Sequence, residues 1–382
     1  MFRRVSAAPC PHRPPCPGCP RYGEPGIAPR ARAALEAFAA QVGLPAPEIQ
    51  GTPGFASRHR ARLMVRGRTR TPKIGLFQLG SHRIADIPQC RIHHPLINRV
   101  AAAVRAATRD AGVEPYADRP HRGALRAIQV VIERRTQSAQ VVLVENAGAP
   151  GPVAELAAPL ARALGAELHS LWWNGNPQRA NTILGPAWQH LNGPGAIVED
   201  VAGCEIVFPP GAFGQSHPEL AERIAQSAQH CVPDGARVAE FHAGCGPLGI
   251  GLLRRAERVT FNEVNEAALD GLARGIARRP EAERARTLVR AGPASQQLDL
   301  LADADAVIVD PPRSGLEPAL LDALCATPPE RLVWVSCGLE SFLAQAALLL
   351  ERSPLRLRGL EAYALFPFTE HVETLAHFSV SS

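Results

Sequence analysis

An apolar run, Val307-Ile308-Val309, ends in Asp310-Pro311-Pro312-Arg313-Ser314-Gly315, and about twenty residues later a second run, Leu332 to Val335, ends in Ser336-Cys337. Each reads as a buried strand that delivers a reactive side chain at its C-terminal end. In an open parallel sheet that edge is where ligands bind, so an acid and a thiol arriving there from successive strands are candidates for one active site. Two prolines continue neither sheet nor helix, so they rigidify the loop that holds Asp310. Cys337 stands before a helical stretch whose N-terminal dipole is expected to lower the thiol's pKa, as a nucleophile requires. A further acid, Glu373, lies at the entry to a closing strand, Leu375 to Val380. By itself, an acid beside a thiol suits several chemistries.

The elements that must position these groups begin near residue 205, where apolar strands alternate with helical stretches in the pattern of a doubly wound α/β domain. Its first strand, Arg237 to Phe241, carries Glu240 and runs into Gly244-Cys245-Gly246-Pro247-Leu248-Gly249, with a helix expected from Ile250. Gly244 and Gly246 let the backbone approach a ligand closely. The second strand, Val259 to Glu263, ends in an acid 23 residues after Glu240, where a Rossmann-type fold places its ribose-binding carboxylate. No third glycine is spaced for a pyrophosphate. Together with Asp310-Pro311-Pro312, this favours the nucleoside of a methyl donor, S-adenosylmethionine, over a dinucleotide.

The chain of 382 residues is long for one domain, and two are expected, 1–205 and 206–382. No run approaches the ~20 consecutive apolar residues of a membrane span, and Met1 to Pro20 lacks the apolar core of a signal peptide. A soluble, cytoplasmic protein is the expectation. Charge is unevenly divided: residues 1–150 hold 23 basic against 9 acidic residues, leaving 18 against 27 for the rest. Within that basic half, Arg58, Arg60, Arg62, Arg66, Arg68 and Arg70 fall at spacings that put most of them on one face of an extended chain, a stripe suited to the phosphates of a nucleic acid.

Nine cysteines in a cytoplasmic chain are not expected to form disulfides. Cys10, Cys16 and Cys19 crowd a stretch rich in Pro and Gly that bends rather than forming a helix, and Cys90 is the next cysteine along the chain. Four thiolates satisfy either zinc or an iron-sulfur cluster, and their softness does not choose between the two.

Taken together, these residues resemble the iron-sulfur-containing RNA uracil-5 methyltransferases, which make 5-methyluridine. The resemblance runs nearly end to end. It rests on Cys10, Cys16 and Cys19 with Cys90, on Gly80-Ser81-His82-Arg83 leading to Ile87-Pro88-Gln89-Cys90, and on Phe213-Gly214-Gln215. It continues through Asp310-Pro311-Pro312-Arg313-Ser314-Gly315, Ser336-Cys337 and His371-Val372-Glu373-Thr374. It implies a C-terminal Rossmann-like methyltransferase domain, an N-terminal iron-sulfur segment and a central α+β RNA-binding domain. It further implies that Cys337 adds to C6 of a flipped-out uracil, that C5 then takes the methyl group, and that Glu373 removes the C5 proton. Gln215, Glu240, Gly244, Gly246, Glu263 and Asp310 correspond to the cofactor site, with Asp310 orienting base or cofactor. The four front cysteines correspond to ligands of a 4Fe-4S cluster. The short run before Cys10 suggests the 23S ribosomal RNA branch that lacks an N-terminal RNA-binding barrel, and a monomer is expected.

The pattern departs from the family at Gly338-Leu339, where Asn-Pro is usual after the thiol, at Glu240 in place of aspartate, and at Pro293, where an acid near the adenine is usual. Two alternatives follow: a divergent member that binds RNA and the cluster with altered or lost methyl transfer, and a transfer RNA uridine-5 methyltransferase.

Overall fold

A computed structural model describes residues 9–380 and resolves two bodies built on two sheets. The chain begins with α1 (Pro29–Gln41) and β1 (Glu48–Gln50). The first sheet then forms from β2 (Arg60–Arg68), β3 (Thr71–Phe77), β4 (Ile84–Asp86), β5 (Leu125–Glu133), β6 (Ser138–Glu145), β7 (Leu168–Gly175) and β8 (Ala187–Asn192), with α2 (Pro95–Asp110) and α3 (Ala157–Leu164) between strands. Its order is β4-β3-β2-β5-β6-β7-β8, antiparallel except where β7 returns parallel to β6 after α3. Strand alternation decides its faces: Ala61, Leu63 and Val65 of β2 point into a core shared with α2 and α3, while the arginines between them point the other way. Helix α2 packs against the sheet through Leu96, Ile97, Val100 and Val104, a spacing of three and four that makes one apolar face.

A hairpin, β9 (Ile197–Val201) and β10 (Cys204–Phe208), leads to α4 (Pro218–His230) and the second body. This comprises β11 (Arg237–Phe241), β12 (Arg258–Glu263), α5 (Glu266–Ala277), α6 (Glu281–Arg284), β13 (Thr287–Ala291), β14 (Ala306–Val309), α7 (Pro318–Ala326), β15 (Arg331–Ser336), α8 (Leu339–Arg352), β16 (Leu355–Tyr363) and β17 (Glu373–Val380). The sheet order is β1-β16-β17-β15-β14-β11-β12-β13. Strands β11 to β15 pair in parallel, and β17 is antiparallel to both β15 and β16. Alternate residues of the central strands feed two cores: Val238, Ile308 and Val333 on one side, Ala239, Val307 and Trp334 on the other. Burial on both faces is why these strands read as continuous apolar runs in the sequence. Among the described residues, no helix is long and apolar enough to cross a membrane.

The cores do not divide after residue 205. Leu35 and Phe38 of α1 pack in the second body, where the Phe38 and Phe342 rings lie 6.1 Å apart, and β1 pairs in parallel with the edge strand β16. Ile197, Val201 and Cys204 of the hairpin also belong to that body's core. The expected boundaries of 1–205 and 206–382 therefore shift: residues 27–50 cross to the second body because their apolar side chains cover one of its faces. The helix expected from Ile250 is a single 3₁₀ stretch, Ile250–Arg254, too short for much of a dipole.

One contact fixes how the first body delivers Cys90. At Gly75 of β3 a Cβ atom would lie 1.9 Å from the Ala85 carbonyl oxygen of β4, so only glycine lets the strands close. The Ile74 N–H donates to Asp86 Oδ1 at 2.9 Å and the Ile87 N–H to the Ile74 carbonyl at 3.2 Å, which carries the chain on toward Cys90. Gly75→Ala is expected to cost roughly 1–3 kcal/mol of stability, the usual range for overpacking, read as a lowered urea midpoint.

Candidate active site

The C-terminal ends of β11, β12, β14 and β15 converge on one edge of the second sheet, as the parallel pairing requires. After β11 the backbone turns through positive φ at His242 (58°), Gly244 (57°) and Gly246 (82°). His242 is the exception to glycine chemistry there, and such strain persists only where surrounding structure enforces it. Glu263 holds the turn: its Oε2 accepts the Gly244 N–H at 2.7 Å, and its Oε1 accepts the Val264 and Asn265 N–H groups, each at 2.7 Å. Gly244 has open space where a Cβ would stand, so its backbone faces the cleft unobstructed. Glu240 does not line that cleft as expected. It is buried beneath the loop against Gly249, with Oε2 unpartnered, and burial first and then Asp310 push its carboxyl well above the usual range.

Gln215 lies on the connection from β10 to α4, which also joins the two bodies. The His59 N–H donates to the Ser216 carbonyl at 2.8 Å, and Thr52 Oγ1 lies 2.8 Å from His217 Nε2. The turn at Pro293 has an acid after all. The Ser295 N–H donates to Oε2 of Glu317 at 3.0 Å, and Asn262 Nδ2 donates to the Gly292 carbonyl at 2.9 Å. Glu317 gave no motif in the sequence; its position two residues after Gly315, ahead of α7, was the only signal.

The thiol and the second acid meet through strand pairing. Because β17 runs antiparallel to β15, Ser336 is opposite Thr374, so Glu373 and Cys337 stand at the same end of adjacent strands. Glu373 is fully buried and neither carboxyl oxygen has a hydrogen-bond partner. Burial first, then Asp310, pushes its carboxyl well up, with Arg313 pulling the other way. Asp310 is pushed up to about 7 by burial and then by Glu263. Cys337 is pushed up to about 11, by burial, then Glu373, then Asp310. This overturns the expectation of a thiol acidified by its helix: α8 does start at Leu339, but desolvation and two carboxyl groups outweigh a dipole end. The Gly338-Leu339 departure is accommodated, since a Cβ at Gly338 would stand 2.3 Å from the Arg313 carbonyl. Ser341 Oγ donates to that carbonyl at 2.8 Å, tying the start of α8 to the Asp310 loop.

Cys10, Cys16, Cys19 and Cys90 line one cavity with His12, Arg58 and His93, and all four are unbridged. Among the described residues, no three or more His, Cys, Asp or Glu side chains are arranged to hold a metal ion. The thiols nevertheless feel one another: Cys19 is pushed up to about 12 by burial first, then by Cys90 and Cys16. His12 Nε2 accepts the Gln89 N–H at 3.2 Å, which occupies it.

Arg58 belongs to this cavity rather than to the phosphate-facing stripe, and burial lowers its pKa while Cys90 and Cys19 raise it. The stripe is further divided. Arg60 is pushed down to about 10 by burial, donates to the Ala212 carbonyl at 2.8 Å and lies 5.5 Å from the Phe208 ring, so it fastens the inter-body connection. Arg66 pairs with Asp118 at 3.0 Å and stacks near Tyr116 and Phe77. Arg62, Arg68 and Arg70 remain exposed, Arg62 also donating to Gln129 Oε1 at 2.7 Å.

The raised carboxyl at Asp310 has a consequence for stability. Between the ordinary 3.8 and about 7, the unfolded chain has released this proton and the folded one keeps it. Stability contributed by the proton is therefore present below pH 4 and lost as pH rises through about 7, with a slope of at most about 1.4 kcal/mol per pH unit. Urea unfolding at pH 5 and pH 7.5 is expected to show a smaller difference in Asp310→Asn than in the wild type.

No family model matches the sequence. The chain is 32% identical over 377 residues to an uncharacterized RNA methyltransferase of Protochlamydia amoebophila, covering 97% of each. It is 30% identical over 327 residues to an uncharacterized RNA methyltransferase of Geobacter sulfurreducens, covering 84% of this chain and 65% of the relative. In fold it is similar to the Pyrococcus abyssi tRNA (uracil-54, C5)-methyltransferase in complex with S-adenosyl-L-homocysteine, with a TM-score of 0.77 and 22% identity over 96% of this chain and 86% of that one. Likeness to the Protochlamydia relative along nearly the whole of both sequences shows that this protein belongs to the RNA methyltransferase family.

Proposed function

We propose that this protein methylates C5 of a uridine in RNA, with Cys337 as covalent nucleophile and Glu373 as general base. The observation that carries this reading is the bare, buried carboxyl of Glu373 beside the Cys337 thiol. A structural carboxyl so deeply buried would be hydrogen-bonded. A base that must accept a proton from carbon keeps its oxygens free, and burial, by raising its carboxyl, makes the ionised form a stronger proton acceptor. Thiol addition at C6 makes C5 of the uracil a carbon nucleophile, and removal of the C5 proton then lets the sulfur leave. Burial first, then the charges of Glu373 and Asp310, disfavour deprotonating Cys337. Arg313, which lowers both Cys337 and Glu373, is the cation that offsets charge when a proton leaves.

S-adenosylmethionine, the methyl donor in this reading, fits the cleft along the Gly244 backbone. Glu263 holds that backbone and Asp310 lies close to Glu263, while Gln215 is assigned to the donor by the sequence resemblance. For RNA, the exposed Arg62, Arg68 and Arg70 are the phosphate contacts, and the sequence resemblance favours 23S ribosomal over transfer RNA. Nucleosides digested separately from ribosomal and transfer RNA of cells with and without the protein are expected to differ in 5-methyluridine, in the ribosomal fraction. Restoring the gene with Cys337→Ala is expected to leave the modification absent. Full modification by that variant would overturn the mechanism, and a change confined to transfer RNA would overturn the target.

The four thiols line one cavity, and the sequence resemblance favours an iron-sulfur cluster over a single zinc there. Cys10, Cys16, Cys19 and Cys90 would hold a 4Fe-4S cluster, whose positive irons would relieve the mutual repulsion of their thiolates. Protein purified anaerobically is expected to be brown, with broad visible absorbance lost in Cys19→Ser. Colourless protein containing one zinc would refute the cluster.

A further inference from the structure

The loop that leads into Glu373 is gripped by the segment that follows Cys19. The Arg21 N–H donates to the Phe368 carbonyl at 3.0 Å, Arg21 Nη1 donates to the Thr369 carbonyl at 3.3 Å, and Arg21 Nε lies 3.9 Å from Glu370. The Arg21 side chain is only 12% exposed. Phe368 is buried between Tyr22 and Phe55, with ring centroids at 5.6 and 5.3 Å. Its backbone has φ +65°, a conformation that a bulky non-glycine residue adopts only when held. Its neighbour Pro367 lines the cysteine cavity itself. Thr369, bonded by Arg21, ties the rest of the loop: its Oγ1 donates to the Phe366 carbonyl at 2.7 Å and accepts the His371 N–H at 3.2 Å. Two residues later comes Glu373.

We propose that Arg21 is a positioning residue for proton removal: with Tyr22, it clamps the Phe368 turn to the cysteine segment and so sets where the Glu373 carboxyl stands. Opening the clamp releases the left-handed turn, and the residues behind it move with it. The inference rests on Glu373 acting as the base. The step affected is the last one. There the C5–H electron pair forms the C5=C6 double bond, the C6–Sγ bond breaks with its pair returning to Cys337, and the proton passes to Glu373. Addition of Cys337 and methyl transfer do not use that carboxyl as an acceptor, so a displaced Glu373 stalls the enzyme as a covalent, methylated RNA adduct. The cysteine cavity is thereby coupled to the chemistry through its neighbours.

The experiment compares wild type, Arg21→Ala, Arg21→Lys, Phe368→Ala and Glu373→Gln on [5-³H]uridine-labelled total RNA from cells lacking the protein. It reads tritium release, the RNA-linked protein band on a denaturing gel, RNA affinity and visible absorbance. Misplacing a catalytic group by about 1 Å can cost roughly 10²-fold. Arg21→Ala and Phe368→Ala are therefore expected to slow tritium release by about 10- to 100-fold and to accumulate the adduct. RNA affinity and absorbance should stay near wild type, and Arg21→Lys should fall between. Weaker RNA binding with an unchanged adduct fraction would overturn the clamp and make this segment an RNA contact; unchanged behaviour in every readout would overturn it outright. Glu373→Gln separates the two levels. If it accumulates adduct while Arg21→Ala and Phe368→Ala do not, only the clamp is wrong, and if Glu373→Gln fails to accumulate it, the base assignment falls and the clamp with it.

Discussion

The antiparallel return of β17 alongside β15 is the contact on which the site depends. A purely parallel sheet would deliver one side chain per strand to its C-terminal edge, each from the end of a strand. Here the last strand also delivers its first residue to that edge, because Thr374 is registered opposite Ser336. Backbone hydrogen bonds fix this register, and a slip by one residue would turn Glu373 to the other face of the sheet. The thiol and the carboxyl are thus neighbours by backbone geometry, which leaves both Glu373 oxygens free of structural hydrogen bonds.

That freedom is costly in a buried place. Asp310 and Glu373 are raised by burial, each is raised further by another carboxyl, and the thiol is raised in turn. Arg313 offsets part of that cost, since it lowers both Cys337 and Glu373. A helix N-terminus contributes less than these effects because it acts through partial charges, whereas the carboxyl groups act through whole ones inside the same low-dielectric space.

The first body serves the second in more ways than by presenting basic residues. Its arginines were read as one stripe, and strand alternation does put Arg60, Arg62, Arg66 and Arg68 on one side of β2. Their tasks differ because their surroundings differ: Arg60 meets the connection at Ala212, Arg66 meets Asp118, and Arg58 turns to the thiols. The N-terminal stretch crosses to the second body to extend its sheet with β1 and cover it with α1.

Sequence alone determined much of this protein, wherever the determinant was local. Apolar runs buried on both faces marked the parallel strands, the prolines marked the end of β14, and the spacing from Glu240 to Glu263 marked the acid at the end of β12. Residue types also nominated Cys337, Glu373 and the four front cysteines. What only the tertiary structure decided was set by contacts between segments distant in the chain. The juxtaposition of Glu373 with Cys337 came from strand register, the raised thiol from burial and then from the carboxyl groups folded around it, and the burial of Glu240 from the turn at Gly249. Glu317 at the Pro293 turn left little signal, and Arg21, 348 residues ahead of the Thr369 carbonyl it bonds, left none. An acid or an arginine has the same letter whether it is solvated or clamped, and only packing assigns it a partner.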